Sequence, residues 1–182
     1  MRRVFIGVPV NQAAQPQIDK LLYPYQRSSP DISWVKAENR HLTLAFFGDR
    51  SDRAIEKLVH SMDNAYCPEK SFQTGFAKLE RFPGPGGKII ALIFEAGACL
   101  DRLFQVTQGL MQVTGLDSDL KPFRPHVTLA RIRKAGGFEK NLRKATNIRL
   151  QVDKITLYQS TLTRSGRVYL KLKEVELGQH GN

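Results

Sequence analysis

Hydrophobic and polar positions repeat with period two in some stretches of the chain and every three to four residues in others. The two periods separate strands from helices. Val4, Ile6, Val8 and Val10 share one side of an extended segment, which predicts a strand over 3–10. Ile18, Leu21, Leu22 and Tyr25 recur at i, i+3, i+4 and i+7, the stripe of an amphipathic helix that Pro24 should end. A loop through Ser28, Ser29 and Pro30 leads to extended residues 32–35 and a strand over 41–47. Ser51 or Asp52 is placed to cap a helix with the stripe Ile55, Leu58, Val59 and Met62. Residues 72–79 read as a strand running into the turn-rich segment Pro83-Gly84-Pro85-Gly86-Gly87.

The pattern then begins again. Residues 88–94 form an apolar strand, and 98–114 a helix with Leu103, Val106, Leu110 and Val113 along one face, weakened by Gly109. Pro122 and Pro125 bracket a loop, 126–132 is a strand, and 138–146 reads as a short helical segment. Two closing strands, about 148–159 and 168–175, are joined by a loop containing Ser165 and Gly166. The halves agree in spacing: from Val4 to His41 is 37 residues, and from Ile89 to His126 is 37. The predicted fold class is α+β: a bilobal, pseudo-two-fold arrangement of two mostly antiparallel sheets flanked by helices, with equivalent strands facing across a central groove. The whole of 1–182 reads as a single two-lobed domain.

Composition narrows the possibilities. Apolar residues at 41% and charged residues at 25% describe a globular protein. The first apolar run ends at Pro9 and Asn11, too short for a signal-peptide core, and no stretch reaches membrane-span length. The expectation is a cytoplasmic monomer that binds no membrane. Cys67 and Cys99 lie outside any metal-ligand spacing and read as two mostly buried small hydrophobes. Lys and Arg number 28 against 17 for Asp and Glu, a net +11, and such a surface favours phosphate contacts. Arg131, Arg133, Lys134, Lys140, Arg143, Lys144 and Arg149 crowd into one stretch, readable either as an RNA contact or as a solvated face.

The chemistry sits in two copies of one short pattern, His41-Leu42-Thr43-Leu44 and His126-Val127-Thr128-Leu129. On a strand, His41 and Thr43 share a face while Leu42 and Leu44 anchor the other, and His126 and Thr128 do likewise against Val127 and Leu129. Two imidazoles and two hydroxyls brought into one groove are equipment for opening a cyclic phosphate. A neutral imidazole accepts a proton from water and a protonated one donates to the departing oxygen. Hydroxyls and arginine relieve charge on the non-bridging oxygens. No metal or cofactor is needed. His60, off the stripe of its helix, and His180, in the terminal tail, read as bystanders. Gly84-Pro85-Gly86-Gly87-Lys88 lacks the first glycine of a phosphate-binding loop, because that position is Phe82, and reads as a turn. Trp34 is equally suited to a base or to the core.

The segments His41-Leu42-Thr43-Leu44-Ala45-Phe46-Phe47-Gly48 and Arg124-Pro125-His126-Val127-Thr128-Leu129-Ala130-Arg131 resemble those of the two-histidine phosphoesterases. More closely, they resemble the bacterial and archaeal RNA 2′,3′-cyclic phosphodiesterases, also called 2′-5′ RNA ligases. The resemblance runs from the first strand to Tyr158-Gln159-Ser160. It implies hydrolysis of an RNA 2′,3′-cyclic phosphate to a 2′-phosphomonoester, with His41 the proton donor and His126 the proton acceptor. It implies that Thr43, Thr128 and Arg131 hold the phosphate and that Phe46 stacks on a base. The reverse chemistry, ATP-independent 2′-5′ joining of RNA ends, is expected of the same residues. Strict alternation sets Arg131 and Phe46 on the face opposite the histidines, so a bulge must turn them back. Competing readings are a phosphodiesterase for a small cyclic nucleotide or ADP-ribose cyclic phosphate, a non-catalytic RNA-binding module, and a two-histidine metal site. The last lacks a carboxylate within either motif.

Overall fold

A computed structural model describes residues 1–27, 31–115, 122–133, 139, 142–163 and 166–178. Three helices pack on a large antiparallel sheet, with a second sheet of two strands. In chain order the elements are β1 (Arg2–Pro9), α1 (Gln15–Gln26), β2 (Ile32–Trp34), a short 3₁₀ turn (Ala37–Asn39), β3 (His41–Arg50) and α2 (Asp52–Tyr66). There follow β4 (Phe72–Gln73), β5 (Lys78–Phe82), β6 (Ile89–Ile93), α3 (Ala98–Val113) and β7 (His126–Ile132). The chain closes with β8 (Arg143–Ala145), β9 (Gln151–Val152), β10 (Lys154–Thr163) and β11 (Gly166–Glu176).

The main sheet runs β11-β10-β1-β3-β7-β6-β5-β8, with β2 added to β7. Read outward from the β3/β7 line, each half has the same plan. A motif strand is followed by the opening strand of its half, then by two further strands, the outer one at the edge. The two expected sheets are therefore halves of one ladder. Their motif strands lie side by side at its centre, joined at the single pair Leu42–Val127. So short a junction leaves the halves free to diverge on either side of the pseudo-dyad.

Burial explains the elements. Val4, Ile6, Leu42, Leu79, Ile90, Leu92, Val127 and Leu129 are sealed in the core on the helix side of the sheet. α3 packs on β3, and α2 on α3 and β11. The Ser51 hydroxyl caps α2 by accepting from the Ala54 N–H, and Ile55, Leu58, Met62 and Tyr66 form its buried stripe. On α3, Leu103, Thr107, Leu110 and Met111 face inward while Val113 is exposed. The buried Thr107 hydroxyl is satisfied by Tyr66 Oη and the Leu103 carbonyl, both at 2.7 Å. No described helix is long and apolar enough to cross a membrane.

Several expected elements differ. α1 continues through Pro24 to Gln26, because proline in a last turn forfeits a single helical bond. The strand expected over 72–79 is two short strands, with Thr74 and Ala77 N–H groups donating across to the Leu150 and Ile148 carbonyls between them. The strand expected from 148 likewise divides into β9 and β10 at Asp153. Arg143–Ala145 is a strand rather than helix, paired with Lys78–Glu80 along the open edge of β5. Residues 138, 140 and 141 of that expected helix lie outside the described residues, as do Ser28, Ser29, Pro30, Ser165 and His180. Both cysteines are free and exposed rather than buried. Cys67 follows α2 and Cys99 opens α3 off its apolar stripe.

Candidate active site

The two motif strands share one burial pattern along seven residues: half-buried, buried, half-buried, buried, buried, exposed, buried. The adjacent buried pair marks a bulge. Gly7 pairs with Thr43 and Ile6 with Ala45, so Leu44 is an extra residue. Ala91 pairs with Thr128 and Ile90 with Ala130, so Leu129 is extra at the equivalent place. Each bulge inverts the alternation that follows it. Directly opposed residues point to one face, and β1 sets Pro9, Gly7 and Phe5 against His41, Thr43 and Phe46. β6 sets Ile93, Ala91 and Ile89 against His126, Thr128 and Arg131. Phe46 and Arg131 therefore stand on the same face as the histidines, and both are exposed.

Across the dyad, the Leu42–Val127 pair extended by one residue in antiparallel register sets His41 beside Thr128 and Thr43 beside His126. The two imidazoles thus stand on one face of neighbouring strands, close enough for the charge of His126 to act on His41.

Each ring is held in the same way. His41 Nδ1 lies 2.7 Å from the Asn39 carbonyl and His126 Nδ1 lies 2.8 Å from the Arg124 carbonyl, both two residues upstream. A carbonyl only accepts, so Nδ1 carries the proton and Nε2 is the nitrogen left for chemistry. Each ring also rests on a phenylalanine: His41 on Phe5 at 4.6 Å and His126 on Phe82 at 4.1 Å between centroids. Around His41 the aromatic wall continues with Tyr158 and Tyr169. Around His126, the Arg124 guanidinium lies 4.7 Å over the Phe82 ring and donates to the Pro83 carbonyl.

Burial pushes the His41 imidazolium down to about 4; the Asn39 carbonyl opposes this, and His126 adds a smaller repulsion. Burial also lowers His126, opposed by the Arg124 carbonyl and reinforced by the Arg124 and Arg131 charges. Each motif cation thus acts electrostatically on the second imidazole. Both shifts favour the neutral ring in the free protein.

The 2′-5′ RNA ligase superfamily model matches residues 10–164, a span holding both motifs. The chain belongs to this superfamily. An RNA 2′,3′-cyclic phosphodiesterase of Thermotoga maritima is 27% identical over 96% of this chain and 95% of its own length. One of Aeropyrum pernix is 30% identical over 81% and 87%. Among solved structures, TT0787 of Thermus thermophilus superimposes with a TM-score of 0.84 at 22% identity, covering 98% of this chain and all of that one. E. coli LigT complexed with 3′-AMP gives 0.75 at 22% identity, covering 97% of each. These two likenesses confirm the fold.

In this superfamily member the sequence pattern found the motif residues but missed their supports. Phe5, Phe82, Tyr158 and Tyr169 lie on strands distant in sequence, and only the sheet order brings them beside the imidazoles. Gly7 leaves a flat patch beneath His41: a Cβ there would lie 2.7 Å from the Leu42 carbonyl oxygen and 3.5 Å from the imidazole. Arg40 is buried, with its guanidinium bonded to Asp19 at 2.6 Å and Gln15 at 2.9 Å, and so ties α1 to the start of β3. Trp34 packs against the core. His60 is exposed on α2, turned back to the Glu56 carbonyl. The basic stretch is divided: Arg143 pairs with Glu80, and Arg149 stacks on Phe76 at 3.8 Å. Lys134 and Lys140 lie outside the described residues. Among the described residues no group of three His, Cys, Asp or Glu side chains is arranged to hold a metal ion.

Proposed function

We propose that this chain hydrolyses RNA 2′,3′-cyclic phosphodiester ends to 2′-phosphomonoesters by paired acid and base catalysis from His41 and His126. The observation that carries this reading is the duplicated support: two neighbouring strands each tie a histidine through Nδ1 to the carbonyl two residues back. Relatives named RNA 2′,3′-cyclic phosphodiesterase, similar over most of their length, support the same activity. The nucleotide in the LigT complex, 3′-AMP, supports only the coarser reading that such a groove takes a nucleoside phosphate.

His126 Nε2 takes a proton from water as its oxygen attacks phosphorus. The bond from phosphorus to O3′ breaks, and His41 delivers a proton from Nε2 to that oxygen. Thr43 and Thr128 donate hydrogen bonds to the non-bridging oxygens, and Arg131 offsets their charge. Phe46, 68% exposed and 5.8 Å from Phe5, presents a ring face to a base. The His41 proton is acquired with the substrate, since an anionic phosphate supplies the opposite charge that the buried ring lacks in the free protein. With a 5′-hydroxyl in place of water, the same steps form a 2′-5′ bond. Base, acid and charge relief all come from the chain, so the scheme needs no metal.

Identifying the product tests this reading. An oligonucleotide ending in a 2′,3′-cyclic phosphate should yield only the 2′-phosphate, at a rate unchanged by chelator. A 3′-phosphate, or a reaction restored only by a divalent metal, would contradict the scheme.

A further inference from the structure

The two halves carry different charge at their outer ends, and the difference gives a bound RNA a direction. Arg131 lies near the end of β7 and Arg133 just past it, two positions on. The bulge places Arg131 on the histidine face, and Ser33 of β2 is paired directly opposite it on that face. Arg133 returns to the same side, its guanidinium 3.3 Å from the Ser33 hydroxyl. Both arginines are exposed, and neither forms an ion pair with a carboxylate among the described residues; Asp31 stands across the ladder from Arg133, its carbonyl accepting from the Arg133 N–H, while the guanidinium bonds to Ser33. A cation not tied up in an ion pair retains charge for an incoming anion.

On the outer strands of the first half, Lys154 and Lys171 both pair with Glu174, and Arg3 pairs with Asp49. Arg167 is bonded to the Ser160 hydroxyl on the rim of a depression shared with Arg3 and Asp49. Its surroundings include the aspartate, which weakens it as a phosphate site.

Resting on the cyclic phosphodiesterase reading, we infer that Arg133 and Ser33 form a second anion site for the phosphodiester on the 5′ side of the reacting nucleotide. The RNA then leaves the histidines over β7 and β2, with Thr128 and Arg131 on the reacting phosphate and Arg133, just past the end of β7, on the next one. The terminal base meets the aromatic first half, and the sugar-phosphate chain follows the basic second half.

Substrate length separates this site from the catalytic one, because a mononucleoside 2′,3′-cyclic phosphate has no 5′ phosphodiester to place there. In Arg133→Gln, kcat/KM for a trinucleotide ending in a cyclic phosphate should fall about tenfold, while the mononucleoside substrate changes less than twofold. The salt dependence for the trinucleotide should also lose a slope of about 0.7, one phosphate contact to a single strand. Arg133→Lys should restore most of the loss, and Arg167→Gln should leave the length preference intact. Equal losses on both substrates, an unchanged trinucleotide rate, or a length effect that appears in Arg167→Gln instead would overturn the assignment. If the unaltered protein hydrolyses neither substrate, the activity reading itself fails, and that outcome is recognisable before any variant is made.

Discussion

The two halves of the sheet are alike in backbone and unlike in lining. Both carry an imidazole and a hydroxyl on one face, a leucine bulge after them, and a histidine held by the carbonyl two residues upstream. At the position that the bulge turns toward the site, one half presents Phe46 and the other Arg131. Beneath the motif threonines, one half has Gly7 and the other Ala91. Phe5, Tyr158 and Tyr169 enclose the first histidine, whereas Phe82 and the Arg124 cation flank the second. In the proposed reaction the duplicated backbone would supply the acid and the base, and the divergent side chains would give each half its own partner, a base on one side and phosphates on the other.

The largest expected effect falls on what the halves share. His41→Ala and His126→Ala should each lower turnover by about 10²–10⁴-fold, and the double variant should be little worse than either, since the two rings act on one event. A small effect at one histidine would show that only one half is chemical.

A smaller effect should separate Gly7 from Ala91. Gly7→Ala places a methyl against the Leu42 carbonyl, so β1 and β3 must shift beneath His41. Turnover should fall on the order of 10-fold to 10²-fold with the fold retained, while Ala91→Gly stays within about threefold. Equal responses would mean that His41 is not positioned by that close approach.

Phe46→Ala should raise KM about tenfold with little change in kcat, the loss of one stacked base. Arg131→Gln should instead lower kcat/KM by a similar factor on every substrate length. Steady-state kinetics on mono- and trinucleotide substrates would separate the two.

The smallest effect is on stability. The folded-state pKa of His41 lies below its unfolded value, so its contribution is fully present above about pH 6.5 and is lost as pH falls toward 4. After allowance for partial exposure the loss is on the order of 2–3 kcal/mol. Denaturant midpoints measured across that window should decline, and His41→Gln should flatten the decline.

Much of this was legible because the motif residues report their own geometry. Alternation placed His41 with Thr43 and His126 with Thr128, and equal spacing from Val4 and Ile89 identified the flanking strands β1 and β6. The bulges at Leu44 and Leu129 were not legible, since an extra residue in a ladder leaves no mark in hydrophobic pattern alone. The requirement that Arg131 and Phe46 turn back nevertheless pointed to them. The break between β4 and β5, the strand at Arg143–Ala145 and the Phe82 platform depend on pairing with segments dozens of residues away. Cys67 and Cys99 were misplaced because residue type outweighed position: both lie at helix ends, off the buried stripes.

A crystal structure of the protein with a 2′-nucleotide product bound addresses the central claim most directly. The account predicts one phosphate with oxygens within hydrogen-bond distance of Nε2 of both His41 and His126, and the Thr43 and Thr128 hydroxyls on its remaining oxygens. A phosphate held by a single imidazole, with the other ring turned away or bonded elsewhere, would contradict it.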